Sequence, residues 1–166
     1  MQIRDEIMII EKYKSALEAE WDNFLSSNNS SSTLFHEMKF LSYHKDKFED
    51  SSVIIRNNNK EIVGVFPSAF LNNNIISHPG SSYGGFIFNP NLSLNEIFEY
   101  IDGTIDFYFN NYDFKKIEVI SPEKIIIQNH TDSIDFLLHK KGFQLSDMQI
   151  STVIVLKDFK DFKNFR

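Results

Sequence analysis

The residues with the clearest chemical potential are His78 and Tyr83, which lie in a glycine-rich stretch at residues 77–85. The stretch reads Ser-His-Pro-Gly-Ser-Ser-Tyr-Gly-Gly and holds three of the six glycines in the chain. An imidazole can accept a proton from an amine near neutral pH, and a hydroxyl can take part in the same transfer. Glycine lets the main chain turn sharply or approach a ligand closely. We therefore predict a cleft lined by this stretch, with His78 and Tyr83 as its proton-handling groups.

Each of these side chains also has a structural interpretation. His78 can hydrogen-bond the loop backbone and shape the turn, and Tyr83 can cover the core. The two final glycines can form a bulge in a strand. On the catalytic interpretation the remaining residues of the stretch bind substrate, and these are Ser77, Pro79, Gly80, Ser81, Ser82, Gly84 and Gly85.

The elements that must position this stretch alternate between helical and strand periods, which predicts a layered α/β domain. In the first half we predict a strand over 7–10, a helix over 14–25, and a second helix with Thr33 as its N-cap and Glu37 nearby. Two strands, 52–56 and 61–70, follow and are joined by an asparagine-rich turn. A second turn at 72–74 leads into a short strand at 75–76.

In the second half the pattern predicts a strand over 86–88 and a long helix over 94–112 with isoleucines at four-residue steps. A strand over 116–120 precedes a short helix over 133–140, which Gly142 closes as a residue free to adopt positive φ. A final strand over 150–156 completes a domain of residues 1–156. Residues 157–166 form a phenylalanine-rich tail, which is either a terminal helix or the start of a linker to a second domain.

The charge balance argues against nucleic-acid binding. The chain of 166 residues carries a formal net charge of −6, and Arg4, Arg56 and Arg166 are its only arginines. Phosphate backbones are bound chiefly by lysine and arginine, so we expect no DNA partner.

The chain contains no cysteine, which excludes disulfides, thiolate nucleophiles and cysteine-bound zinc. His36 and His44 are eight residues apart, too far on one helix to share a metal, so we expect no metal site. No apolar run is long enough to span a bilayer and no secretory signal is evident, so we expect a cytoplasmic protein.

The element order resembles the GNAT acyltransferase fold, and the first half resembles the FemAB-like branch, whose members carry two tandem GNAT domains. The matching positions are Trp21, Leu34-Phe35-His36, Ile62-Val63-Gly64-Val65-Phe66-Pro67, Ser77-His78-Pro79-Gly80, Tyr83-Gly84-Gly85 and the Lys-x-Gly-Phe ending at Lys140-Lys141-Gly142-Phe143. The resemblance covers nearly the whole chain.

The resemblance implies transfer of an acyl or aminoacyl group to an amine, with acyl-CoA or aminoacyl-tRNA as donor. The acceptor would be a small molecule, a sugar-nucleotide or a peptide amine of cell envelope biosynthesis, and Phe35 and His36 would join the substrate-binding residues. The chain would supply mainly the acceptor cleft, with main-chain N–H groups polarising the acyl carbonyl. A second GNAT domain would be covalently linked or supplied by a homodimer.

Two departures from the GNAT pattern concern the binding of the acyl donor and the identity of the general acid. The turn at residues 89–94 contains no glycine and places Pro90, which has no N–H, where a CoA pyrophosphate would need donors. Leu138 occupies the position of a tyrosine that often serves as general acid. The alternative function is therefore a non-catalytic GNAT-fold module for ligand binding or dimerisation.

Overall fold

The computed structural model describes residues 8–28, 32–44, 46–123, 127 and 132–148. Over these residues eight strands form two four-stranded sheets in the orders β1-β3-β4-β7 and β2-β5-β6-β8. The strands are β1 Ile9–Lys12, β2 Glu49–Asp50, β3 Val53–Arg56, β4 Ile62–Phe66, β5 Ala69–Leu71, β6 Asn74–Ile76, β7 Ile87–Phe88 and β8 Lys116–Glu118. The helices are α1 Glu18–Ser27, α2 Met38–Leu41, α3 Leu94–Asn111 and α4 Ser133–Lys140. The predicted strand at 150–156 and the tail at 157–166 lie outside the described residues.

Helices cover both faces of the first sheet, and strand alternation assigns each side chain to a face. In β3, Ile54 joins Trp21 and other side chains of α1 and α2, whereas Val53 and Ile55 face the cluster formed by α3 and α4. All three β3 residues are fully buried. A strand buried on both faces reads as a continuous apolar run, which explains the Val-Ile-Ile sequence.

One continuous segment contributes a strand to each sheet, because β4 and β5 are separated only by Pro67 and Ser68. The sequence predicted a single strand over 61–70, which the structure corrects. Proline donates no ladder hydrogen bond, and the Ser68 N–H bonds instead to the Ser52 hydroxyl at 3.0 Å. The strand therefore bends here and pairs into both sheets.

The partner strand carries an insertion opposite this bend. Ala69 pairs with Ile76, and Val65 pairs with Ile87. Val65 and Ala69 are four positions apart, whereas Ile76 and Ile87 are eleven positions apart, so the chain between β6 and β7 holds seven extra residues. The glycine-rich stretch is this insertion.

A buried hydroxyl network stabilises the bend from the opposite side. The Ser68 hydroxyl lies 2.8 Å from the Ser51 hydroxyl and 2.7 Å from the Tyr108 hydroxyl. Tyr108 also donates to the Ser51 carbonyl at 2.9 Å. Its complete burial raises the pKa of Tyr108, so the phenol stays neutral.

The predicted second helix is broken, although its N-cap is confirmed. The Thr33 side chain accepts from the Phe35 N–H, and the reciprocal capping partner is His36 rather than Glu37. Glu37 is extended, with φ −71° and ψ 137°, and separates a 3₁₀ turn at 34–36 from α2. The other predicted helices are confirmed within a few residues at their ends, and α4 begins and ends where the sequence placed it.

Candidate active site

A cavity lies along the outer edge of β7, between the first turns of α3 and α4. Its volume is about 420 Å³, within the usual range of roughly 300–1,000 Å³ for small-molecule sites. The lining residues are Gly85, Phe86, Ile87, Phe88, Asn89, Pro90, Leu92, Leu94, Ile97, Ser121, Pro122, Ile127, Ser133, Ile134 and Asp135. Most of these side chains are apolar.

The cavity opens where the two sheets diverge. The Ser77 N–H donates to the Glu118 carbonyl at 2.8 Å, and the Gly84 N–H donates to the Ile120 carbonyl at 2.9 Å. The Ser77 hydroxyl accepts from the Ile120 N–H at 2.7 Å. From Gly85 onward the chain turns into β7, which pairs with β4, while the chain after Ile120 continues toward α4. The gap between these two paths is the cavity.

β7 presents main-chain groups to this gap. Among the described strands it is the last of its sheet, and the Asn89 N–H donates to the Val63 carbonyl at 2.8 Å on the β4 side. In an antiparallel pair alternate residues bond to the partner strand. The N–H groups of Phe86 and Phe88 therefore point away from β4, toward the outer edge.

The mouth of the cavity carries a negative charge. Asp135, in the first turn of α4, is exposed and accepts a hydrogen bond from the Ser121 hydroxyl at 3.0 Å. Among the described lining residues it is the one ionised group, and Ser133 adds a second hydroxyl. A carboxylate at the entrance attracts ammonium groups.

The polar groups of the loop before α3 form hydrogen bonds with one another. The Asn91 N–H donates to the Asn89 side chain at 3.0 Å, and the Leu92 N–H donates to the Asn89 carbonyl at 3.2 Å. The Ser93 N–H and hydroxyl both donate to the Glu96 carboxylate, at 2.7 and 2.6 Å. These bonds lower the pKa of Glu96, so its carboxylate is ionised near neutral pH.

Of the glycine-rich stretch, Gly85 lines this cavity, and substrate binding by the rest of the stretch stays a prediction. The main chain of Ser77 and Gly84 is instead bonded to the segment after β8, as described above. A Cβ added at Gly84 would lie 2.6 Å from the Ser77 carbonyl oxygen, so close backbone packing requires the glycine. Both residues are buried.

His78 lies away from the cavity lining. It is buried at a φ of 43°, and its ring makes an edge contact with Phe48 at 5.2 Å between centroids. Its carbonyl accepts from the Ser81 hydroxyl at 2.8 Å, and Ser81 also donates to the Tyr83 carbonyl at 2.6 Å. The structure thus places His78 in the turn of the insertion.

The remaining sequence-assigned residues occupy the rest of the insertion and an aromatic cluster beside it. Pro79 and Ser81 are half-buried, and Gly80 and Ser82 are exposed at the tip of the insertion. Tyr83 makes an edge contact with Phe35 at 5.6 Å, on the side of the insertion where the 3₁₀ turn at 34–36 packs. None of these residues belongs to the described cavity lining.

His36 connects the first half of the chain to the insertion. Its Nε2–H donates to the Gly84 carbonyl at 3.0 Å, and its Nδ1 accepts from the Thr33 N–H at 3.2 Å. The His36 carbonyl accepts from the Trp21 indole at 2.8 Å. Burial lowers the pKa of His36 to about 4, so the ring is neutral and supports Gly84 rather than exchanging protons.

Sequence reasoning missed Asp135, Ser121 and Ser133. Asp135 was part of the predicted helix 133–140, and no spacing rule connected it to a strand thirty residues or more earlier. The available signal was the turn at residues 89–94 after a short apolar strand, since ligands bind where neighbouring strands of an α/β sheet diverge.

The described residues contain no group of three side chains able to hold a metal ion. Among the helices of the described part of the chain, none is long and apolar enough to cross a membrane.

Comparison with solved structures finds the same fold in aminoglycoside acetyltransferases. Aminoglycoside N-acetyltransferase AAC(6')-Iy in complex with CoA aligns with a TM-score of 0.54 and 11% identity, covering 93% of this chain and 99% of that chain. The same enzyme with the bisubstrate analogue CoA-S-monomethyl-acetylneamine gives 0.54 and 12%, covering 89% and 98%. An aminoglycoside acetyltransferase from an uncultured soil metagenomic sample, meta-AAC0020 in complex with sisomicin, gives 0.52 and 13%, covering 89% and 95%.

Neither a family model nor a curated protein matches the sequence. The likeness to the solved structures confirms the predicted GNAT fold for this chain.

Proposed function

We propose that this chain transfers an acyl group from a thioester to an amine of a small molecule. The observation that supports this most strongly is the cavity along the outer edge of β7, to which this strand presents main-chain N–H groups, in a fold shared with N-acetyltransferases. The carbonyl oxygen of the thioester accepts from one of the two outward N–H groups, that of Phe86 or that of Phe88. Donors fixed in this way stabilise the negative charge that develops on the oxygen during attack.

The reaction then balances without a covalent enzyme intermediate. The neutral amine nitrogen attacks the carbonyl carbon and forms the C–N bond, and collapse of the tetrahedral intermediate breaks the C–S bond. The nitrogen loses one proton, and the departing thiolate gains one, so the products are an amide and a thiol. Holding both reactants in one cavity supplies much of the rate enhancement.

Asp135 positions the acceptor in this proposal. Its carboxylate stands at the cavity mouth, where it attracts the ammonium form of an amine before deprotonation. The solved structures with the same fold are of enzymes that acetylate aminoglycosides, which carry several amines. Amino sugars and other polyamines are therefore the first acceptors to test.

The FemAB-like assignment, with a sugar-nucleotide or peptide acceptor and a second GNAT domain, stays a prediction from the sequence resemblance. So does the aminoacyl-tRNA donor. An acidic chain whose cavity presents Asp135 offers poor complementarity to a polyanionic RNA, so we place a small thioester donor first.

The alternative is a GNAT-fold module that binds a ligand without catalysis. One observation favours it: Leu138, in the position where GNAT enzymes often carry a tyrosine acid, is buried in the core. The enzyme needs a proton donor for the thiolate only if that thiolate is a poor leaving group. Turnover with any thioester would decide against the module.

The test is an acyl-transfer assay that follows thiol release from acetyl thioesters in the presence of amino sugars. Ile134→Trp fills the cavity from α4, and we expect its kcat/KM to fall about tenfold or more because the reactants lose their alignment. Phe136→Trp is the matched control, since Phe136 lies on the same helix, is half exposed and does not line the cavity. Absence of thiol release and of any thermal shift with folded wild-type protein would refute the proposal.

A further inference from the structure

The loop before α3 has few main-chain donors left for an anion. Of the N–H groups in residues 89–96, those of Asn89, Asn91, Leu92, Ser93 and Glu96 are bonded within the protein. Pro90 has no N–H. Within the described part of the chain, Leu94 and Asn95 are the two positions of the eight whose main-chain N–H groups have no partner.

The chain supplies its own anion to the first turn of α3. The Glu96 carboxylate accepts both the N–H and the hydroxyl of Ser93, where the helix dipole favours negative charge. A phosphate at the same place would meet this carboxylate and would lack the Ser93 donors.

The cavity beside this loop offers an apolar surface and a negative mouth. Phe86, Phe88, Leu92 and Ile97 line its wall, and Asp135 stands at its entrance. None of the described lining residues is lysine, arginine or histidine. Diphosphates are held in proteins by such cations or by free helix N-termini, and the first turns of α3 and α4 at this cavity each carry a carboxylate, Glu96 and Asp135, which opposes a second anion.

The solved enzymes with the same fold contain CoA, which indicates a CoA thioester as the form of the donor. The cavity treats the two parts of such a thioester differently. The acyl group and the uncharged pantetheine arm fit a narrow apolar cavity that borders an open strand edge. The diphosphate fits poorly, because most main-chain donors of the loop before α3 are already used and the Glu96 carboxylate lies at the start of the helix.

We propose that this chain recognises its donor as an acyl-pantetheine, through the acyl group and the arm alone, and gains no affinity from the nucleotide of CoA. This inference rests on the proposed acyl transfer and names its donor class. Thioesters on short uncharged carriers are then as good as acyl-CoA.

The experiment compares S-acetyl-pantetheine with acetyl-CoA, using kcat/KM in the thiol-release assay and Kd by calorimetry on the full chain. We expect the two donors to agree within about threefold, less than the tenfold that 1.4 kcal/mol would produce. A preference for acetyl-CoA of about tenfold or more would overturn this inference and leave the proposed acyl transfer standing. Failure of both donors to bind or react would overturn the proposed function, and the inference with it.

Glu96→Gln gives an independent measurement. The amide oxygen can still accept from Ser93, so the cap is kept while its charge is removed. We expect Kd for acetyl-CoA to fall about two- to fivefold, with that for S-acetyl-pantetheine unchanged, because only the nucleotide meets the charge. Glu99→Gln, one turn farther on and exposed, is the control and should change neither constant. Equal constants for acetyl-CoA in wild type and Glu96→Gln would contradict the proposed repulsion.

Discussion

Acidification should destabilise this protein through His36, which lies between the first half of the chain and the insertion. The neutral ring donates to the Gly84 carbonyl and accepts from the Thr33 N–H. Protonation would place a hydrogen on Nδ1, so that this nitrogen could no longer accept from the Thr33 N–H. It would also place a positive charge on a fully buried ring. We therefore expect the free energy of unfolding to fall as the pH is lowered.

The size of the effect follows from the pKa of His36, which burial lowers from 6.5 to about 4. Between these values the unfolded chain binds more protons than the folded protein, so stability rises with pH. The contribution is fully present above pH 6.5 and is lost as the pH falls toward 4. By linkage it amounts to roughly 3 kcal/mol in all, of which about 2 kcal/mol is lost by about pH 5.

Urea unfolding at about pH 7.5 and about pH 5, followed by the fluorescence of Trp21, measures this loss. His36→Gln removes the titrating group and keeps a side-chain donor, so its decrease between the two pH values should be about 2 kcal/mol smaller than in wild type. Other titrating groups cancel in this difference. His139→Gln, at the exposed end of α4, controls for histidine removal. An equal decrease in wild type and His36→Gln would refute the assignment.

Three further predictions concern the bend and the insertion. Gly84→Ala should cost about 2–3 kcal/mol in urea unfolding, because its Cβ meets the Ser77 carbonyl oxygen at 2.6 Å; an unchanged midpoint would show that this contact relaxes. Ser68→Ala removes the hydroxyl shared with Tyr108 and should cost roughly 1–3 kcal/mol, with a cost near zero counting against the network. His78→Ala should lower Tm but leave kcat within about twofold, because the ring lies outside the cavity lining; a large loss of kcat would support the catalytic role predicted from the sequence.

Most of the architecture could be predicted from local patterns. The helix from Leu94 follows from isoleucines at four-residue steps, a feature that depends only on neighbouring residues, and the structure adds Ser93 as its N-cap. The turn at Asn72 and Asn73 follows from the tolerance of asparagine for positive φ, which both residues adopt. The bend at Pro67 was missed because apolar residues stand on both sides of it, and only the pairing partners reveal the change of sheet.

The site was harder to predict because it depends on which strand edges stay open. Glycine at residues 84 and 85 did indicate close approach, but at Gly84 the approaching group is the main chain of Ser77 rather than a ligand. Asp135 gains its importance from the divergence of two sheets, and no local pattern around it carries that information. Its role at the cavity mouth therefore became visible only in three dimensions.

The chain that runs through β4, Pro67 and β5 has a consequence for how the molecule opens. Because one continuous segment belongs to both sheets, neither sheet can lose its pairing without loosening the other. Partial unfolding that releases a single sheet is thus disfavoured, and amide hydrogens in β3 and β6 should exchange in the same global event. Such cooperativity would hold the strands that line the cavity in place until the whole domain unfolds.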